Sequence, residues 1–185
     1  GKESVYQQAH VPGAILVNGK QLVSGELPAP GRLPSVDRLA EAFSAMGLTP
    51  DTHVVVYDDE GGGWAGRFIW TLDAIGHTRY SYLNGGIHAW LAAGLPVEST
   101  PNLPTPRQAV ITLQSGPVAD ADYVIAHHRD ADHVVWDARS PEEYAGTRVL
   151  AQRGGHIPGA RNYEWTRAMD RANSLRVRPL DDVRA

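Results

Sequence analysis

The pentapeptide His-x-Pro-Gly-Ala occurs twice, as His10-Val-Pro-Gly-Ala14 and as His156-Ile-Pro-Gly-Ala160, and it constrains the possible folds more than any other feature. Proline fixes φ and the following glycine permits a tight turn, so each copy can swing the chain directly into the next strand. A tyrosine precedes each copy at a different distance, Tyr6 in the first and Tyr144 in the second. The copies stand a domain's length apart, far beyond the roughly 20–50 residues of a solenoid repeat, so they read as domain duplication. Both histidines read as hydrogen-bonded fixtures of these turns. One copy lies almost at residue 1 and the other near the end, so both domains are expected to be incomplete. The first is expected to lack its opening strand, and the second everything after its first crossover.

Between the copies, strand and helix patterns alternate. Residues 38–47 place Leu39, Phe43 and Met46 on one helical face, with Ser35 as N-cap and Gly47 as C-cap. His53–Tyr57 is a β-branched run expected to form a strand buried on both faces of a parallel sheet. Trp64–Ile75 returns to helical spacing, with Phe68, Leu72 and Ile75 on one stripe, before a short strand at Tyr80–Leu83. The turn Asn84-Gly85-Gly86 and a helix over Ile87–Ala93 follow. Alternation of this kind means βαβ units and a parallel sheet flanked by helices. Pro96, Pro101, Pro104, Pro106 and Pro117 then rule out a helix and predict an extended linker. Beyond it the pattern restarts with a helix over Asp120–His128 and a buried strand over His133–Trp136. The resulting domain reading is 1–98, a linker 99–118, and 119–185.

Composition narrows the chemistry. There is no cysteine, which excludes disulfides, thiolate metal sites and a cysteine nucleophile within these residues. Net charge is −4, which gives no basis for nucleic-acid binding. The charge is uneven, however: residues 139–185 carry 9 Arg against 6 acids, so the basic surplus sits where an anion could be received. No window has the ~18–20 apolar residues of a membrane span and the first residues do not form a signal peptide, which makes a cytoplasmic protein the expectation. The eight histidines show no metal-ligand spacing, His127-His128 included, and no metal or cofactor is expected.

Two segments could carry chemistry. Asp58-Asp-Glu-Gly-Gly-Gly-Trp-Ala-Gly66 lies between a strand and a helix start, where backbone N–H groups can converge on a negative charge. Gly61-x-Gly63-x-x-Gly66 formally satisfies a dinucleotide fingerprint, but Asn84-Gly85-Gly86 stands where a ribose-binding acid would be needed. Arg67-Phe68 stands where a P-loop needs Lys and Ser or Thr. The remaining reading is an anion cradle that no longer binds anions. In the second segment a strand ends at Asp137, and Arg139 lies just past it, where open α/β sheets place ligands. Arg139 is either an oxyanion fork or the partner of Asp137 or Glu143. Ser140-Pro141-Glu142-Glu143 is a capped helix start.

Together, Asp137-Ala-Arg-Ser-Pro-Glu-Glu-Tyr144 with Gly155-His-Ile-Pro-Gly-Ala160 resembles the signature pair of rhodanese domains. Tyr82-Leu-Asn-Gly-Gly-Ile-His-Ala-Trp90 is similar to the element closing their non-catalytic first domain. Val54–Trp70 resembles the bacterial two-domain rhodaneses of the Azotobacter kind. The resemblance implies tandem α/β domains and sulfur transfer from thiosulfate through a cysteine persulfide to cyanide or a thiol. It implies Arg139 as the receiver of the sulfonate end, and Asp58 as a vestigial loop position where the active domain has its cysteine. The catalytic cysteine is then expected in a C-terminal segment beyond Ala185. Rival expectations are a catalytically inactive rhodanese-like binding module and a nucleotide-binding α/β domain using the 61–66 loop.

Overall fold

The computed structural model describes residues 2–184. Its contacts divide the chain into two compact units, the first running to Pro117 and joined by Arg171–Arg176, the second running from Val118 to Asp170 and resuming at Val177. The fold is α/β, built from helices and small parallel sheets.

In the first unit, α1 (Glu3–Tyr6) precedes the first His-x-Pro-Gly-Ala turn, and a 3-10 turn follows at Gly19–Leu22. Helix α2 (Val36–Ala45) starts where the Ser35 side chain accepts the Arg38 N–H, and Gly47 takes φ +76° just past its end. Strand β1 (Val54–Val56) leads to α3 (Gly63–Ala74), then β2 (Tyr80–Tyr82) and α4 (Gly86–Ala92). β1 and β2 pair in parallel, with Val54 opposite Tyr80 and Val56 opposite Tyr82. The core forms where the apolar faces of α2 and α3 meet β1, around Leu39, Phe43, Val56, Phe68 and Leu72. Phe43 and Phe68 meet edge to face at 5.7 Å, the preferred geometry for two ring quadrupoles.

The second unit holds α5 (Ala121–His127), β3 (Trp136–Asp137), α6 (Pro141–Ala145), β4 (Arg161–Asn162) and α7 (Leu180–Arg184). β3 and β4 again pair in parallel. Asp120 caps α5, and α6 opens on a full capping box in which Ser140 and Glu143 satisfy each other's backbone N–H groups. Neither α5 nor α6 buries a residue, so this unit has a far smaller core than the first.

The expectation of strands buried on both faces is corrected. Val56 faces the core, but its neighbour Val55 is 58% exposed, and in the second unit Val134 and Trp136 are 55% and 63% exposed. An apolar run encodes strand propensity, whereas burial requires a layer on each face, and each parallel pair is covered on one. The stretch 96–118 contains no helix, as its prolines require, and it is tied to the first unit at several points. Glu98 bridges to His10 through two backbone bonds of 2.8 and 2.9 Å. Further along, Ala109 N–H donates to Ser44 Oγ, Gln114 N–H to the Ala74 carbonyl, and Trp70 Nε1 to the Pro117 carbonyl.

Candidate functional site

The duplicated motif builds the same clasp twice. Tyr6 stacks on His10 with ring centroids 3.8 Å apart, and its hydroxyl donates to the Ala14 carbonyl at 2.7 Å. His10 Nδ1 lies 2.7 Å from the Tyr6 carbonyl oxygen, which only accepts, so the proton is on Nδ1. In the second copy Tyr144 stacks on His156 at 3.7 Å, donates to Ala160 at 2.7 Å, and accepts His156 Nδ1 at its own carbonyl at 2.7 Å. Both histidines are fixtures of their turns. In the first clasp Asn102 closes the outer side: its amide nitrogen lies 3.3 Å from His10 Nε2 and donates to the Ala14 carbonyl and the Glu98 carboxylate.

The loop between β1 and α3 is an anion cradle with its own anion inside. The Asp58 carboxylate is buried, with Oδ1 accepting from the backbone N–H of Glu60 at 3.1 Å and of Gly62 at 2.9 Å. Oδ2 accepts from Ala65 N–H in the first turn of α3 at 3.0 Å. Gly62 at φ +108° lets the chain wrap around the side chain. Gly86 seals the loop from behind, since a Cβ there would collide with the Asp58 carbonyl oxygen, which accepts Ile87 N–H. Sequence reasoning found the converging N–H groups; it missed that the charge they meet belongs to Asp58. The signal was present, because Asp followed two residues later by a free N–H is an Asx turn.

This arrangement weighs against a nucleotide reading of Gly61–Gly66, because the Asp58 carboxylate engages three N–H groups of the loop and helix start and puts a negative charge where phosphate would sit. Arg67 is also engaged. Its Nε and Nη2 donate to the Leu22 carbonyl at 3.1 and 2.6 Å, and its guanidinium lies 4.6 Å over Trp70. Burial lowers the Arg67 pKa from its ordinary value. Tyr82 stands close to Gly62, and burial, then the Asp58 charge, raise its phenol.

In the second unit Arg139 and Asp137 form a bidentate pair. Arg139 Nε lies 2.9 Å from Asp137 Oδ1 and Nη2 lies 2.6 Å from Oδ2. Nη2 also donates to the Gly155 carbonyl at 2.8 Å, so β3 and the second His-x-Pro-Gly-Ala turn are tied together. Hydrogen bonding to Arg139 holds the Asp137 carboxyl below the usual range, and the reciprocal contact raises Arg139. Of the two partners open to Arg139, Asp137 takes the side chain, while Glu143 is used in the α6 cap. The Arg139 side chain remains 45% exposed, beside a cleft of about 560 Å³ also lined by Arg153, Gly154 and His156. Nη1 has no protein acceptor among the described residues.

A third cluster was not visible from spacing. His127 Nδ1 is 2.8 Å from Asp130 Oδ2, and His133 stacks on His127 at 5.0 Å. The expectation that no ligand spacing exists rested on helical periodicity, whereas α5 ends at His127 and the other two residues arrive from the turn beyond it.

A model of the rhodanese-like domain matches residues 2–93 and 120–184. The chain belongs to the rhodanese-like domain family. It is 50% identical over 173 residues to a thiosulfate sulfurtransferase of Azotobacter vinelandii, covering 94% of this chain and 64% of that protein. A Pseudomonas aeruginosa thiosulfate sulfurtransferase is 49% identical with the same coverage, and the Bos taurus enzyme is 33% identical over 163 residues, covering 85% of this chain and 55% of that protein. The rhodanese-like chain thus spans less than two thirds of the length of these relatives. Among solved structures, an anaerobic ergothioneine biosynthesis enzyme from Chlorobium limicola superposes with a TM-score of 0.84 at 22% identity, covering 99% of this chain and 48% of that one. At that identity the likeness is one of fold. No helix among the described residues is long and apolar enough to cross a membrane.

Proposed function

We propose that this chain is part of a cytoplasmic thiosulfate sulfurtransferase that moves sulfane sulfur through a cysteine persulfide to cyanide or a thiol. The observation that carries the reading is the 50% identity, over 94% of the chain, to a protein of that name. Two rhodanese-like domains stand in tandem in this reading, with residues 1–98 and 119–185 belonging to one each and 99–118 linking them. The two matched segments and the repeated Tyr–His clasp support it.

The chemistry assigns the parts. A thiolate attacks the outer sulfur of thiosulfate, sulfite leaves with the bonding pair, and the persulfide then gives its terminal sulfur to the acceptor. Residues 1–185 contain no cysteine, so the nucleophile comes from polypeptide outside them. Asp58 fills its own cradle, and a carboxylate there repels both thiosulfate and a persulfide, so the first domain is inert. Arg139 receives the sulfonate end with Nη1, oriented by the bidentate grip of Asp137 on the other edge of the guanidinium.

The test is the thiosulfate:cyanide reaction of the intact protein, followed as thiocyanate, with the persulfide sought by mass spectrometry. Turnover with a sulfur adduct on a cysteine outside these residues is expected. Absence of both would favour a second reading, an inactive rhodanese-like binding module, which the lack of cysteine and the filled cradle also support. Arg139→Ala is expected to raise KM for thiosulfate by the loss of a charge-assisted contact, about 1.5–3 kcal/mol. An unchanged KM would leave Arg139 only its tie to Asp137 and Gly155.

A further inference from the structure

We propose that His127, Asp130 and His133 form a binding site for a divalent first-row transition metal ion, with Zn²⁺ as the representative occupant. One nitrogen of each imidazole and one carboxylate oxygen of Asp130 lie within 4.8 Å of one another. Two imidazoles and a carboxylate are a donor set for Zn²⁺, Co²⁺, Ni²⁺ or Cu²⁺, whereas Mg²⁺ and Ca²⁺ take oxygen ligands. With three protein ligands, a water molecule completes tetrahedral coordination.

A second observation points to the same use. Asp132 Oδ1 lies 2.7 Å from His133 Nδ1, and an acceptor there holds the proton on Nδ1 and the lone pair on Nε2. That is the carboxylate–histidine arrangement that fixes the tautomer and orients a metal-bound imidazole. Tyr123 Oη stands 2.9 Å from the same Nε2 and supplies the hydrogen bond that the ion would replace. His127 Nδ1 donates to Asp130 Oδ2 at 2.8 Å, so an ion held by both atoms takes the place of that proton, which is released to solvent. Both rings are partly solvent-exposed and can turn about their own side-chain torsions until their lone pairs converge. All the ligands lie within the seven-residue stretch His127-x-x-Asp130-x-x-His133, so the ion would pin the C-terminus of α5 to the turn leading into β3. The ordering falls in a unit whose core is small, and binding would raise that unit's stability by mass action.

The site is tested by isothermal titration calorimetry of the intact protein with Zn²⁺ alone, and with Mg²⁺ as the contrasting ion. Expected are an ion bound at this site and roughly tenfold or greater weakening in each of His127→Ala and His133→Ala, with about tenfold weakening in Asp132→Asn. His88→Ala, which removes an imidazole from the other unit, should leave the affinity unchanged. Far-UV circular dichroism checks that each variant stays folded. Co²⁺ substitution separates this site from any thiolate elsewhere in the protein, since imidazole and carboxylate ligands give visible d–d bands without a sulfur charge-transfer band. Zn²⁺ affinity equal in the parent and the His127 and His133 variants overturns the proposal, as does a Co²⁺ spectrum dominated by thiolate and unchanged in those variants. Uptake of Mg²⁺ as tight as that of Zn²⁺ also overturns it. None of these outcomes depends on sulfur transfer, so the site stands or falls separately from the proposed activity.

Discussion

Replacing Asp58 separates a filled anion cradle from an incidental loop carboxylate. Its side chain accepts three backbone N–H groups at 2.9–3.1 Å, and Ala65, which donates one of them, is only 2% exposed. Hydrogen bonds to an ionised acceptor contribute about 1.5–3 kcal/mol each, but three bonds sharing one carboxylate total less than their sum. In Asp58→Ala the part-buried Glu60 and Gly62 N–H groups regain water, losing together about 1–2 kcal/mol, while the buried Ala65 N–H is stranded at about 2 kcal/mol. The expected loss is about 3–4 kcal/mol. Asp58→Asn keeps an oxygen for Glu60 and Gly62 but turns an NH₂ toward Ala65 N–H, so it should lose about 2 kcal/mol. With a urea slope of about 2 kcal/mol/M, the midpoints fall by about 1.5–2 M and 1 M. Urea unfolding followed by tryptophan fluorescence measures both, and formate added to Asp58→Ala should recover part of the loss by occupying the vacated N–H groups. If both variants remain within about 0.5 kcal/mol of the parent, the three bonds do not stabilise the loop and the cradle argument fails.

Asp137 makes stability pH-dependent. Its carboxyl is held below the ordinary value by Arg139, so its contribution is complete above the unfolded-state carboxylate range near 3.9 and is lost as pH falls through the lower folded value. Near-ultraviolet circular dichroism during acid titration should show a smaller stability change across that window in Asp137→Asn; an identical profile would remove the pair from the account. Asn102→Ala removes one of the donors to the Ala14 carbonyl and to the Glu98 carboxylate, and should destabilise the first unit by about 1–2 kcal/mol and speed limited proteolysis within 96–118. Unchanged cleavage would mean that the stretch is held by its other bonds. Gly86→Ala, at φ +54° and against the Asp58 carbonyl, should lower stability by more than about 1 kcal/mol, read as a drop in Tm. A Tm equal to the parent's would show that the turn relaxes freely.

Much of the local structure was legible. Ser35 and Ser140 announce helix starts because a short oxygen-bearing side chain can satisfy a first-turn N–H from within four residues. Arg139 was recognised as a group at the end of a strand, but its choice of Asp137 over Glu143 was not decidable in one dimension. In the fold Asp137 takes the guanidinium and Glu143 turns back to the Ser140 N–H. Val55 and Trp136 misled because an apolar residue carries its strand propensity wherever it stands, and only neighbouring layers decide whether it is covered. The His127–His133 cluster escaped for a similar reason: helical spacing stops predicting neighbours at the residue where the helix stops.

By itself the sequence determined the duplicated turn, the alternation of strand and helix, the family resemblance, and the absence of any cysteine nucleophile within these residues. These are consequences of backbone restriction, capping and composition, which act over a few residues or none at all. Tertiary structure alone decided where the charges went. Asp58 turned inward to occupy its own loop, Asp137 took the guanidinium, and Asn102 reached back across the chain to His10. Each is a contest among partners that only folding brings within hydrogen-bond reach, and at Asp58 the buried Ala65 N–H would otherwise lose its water.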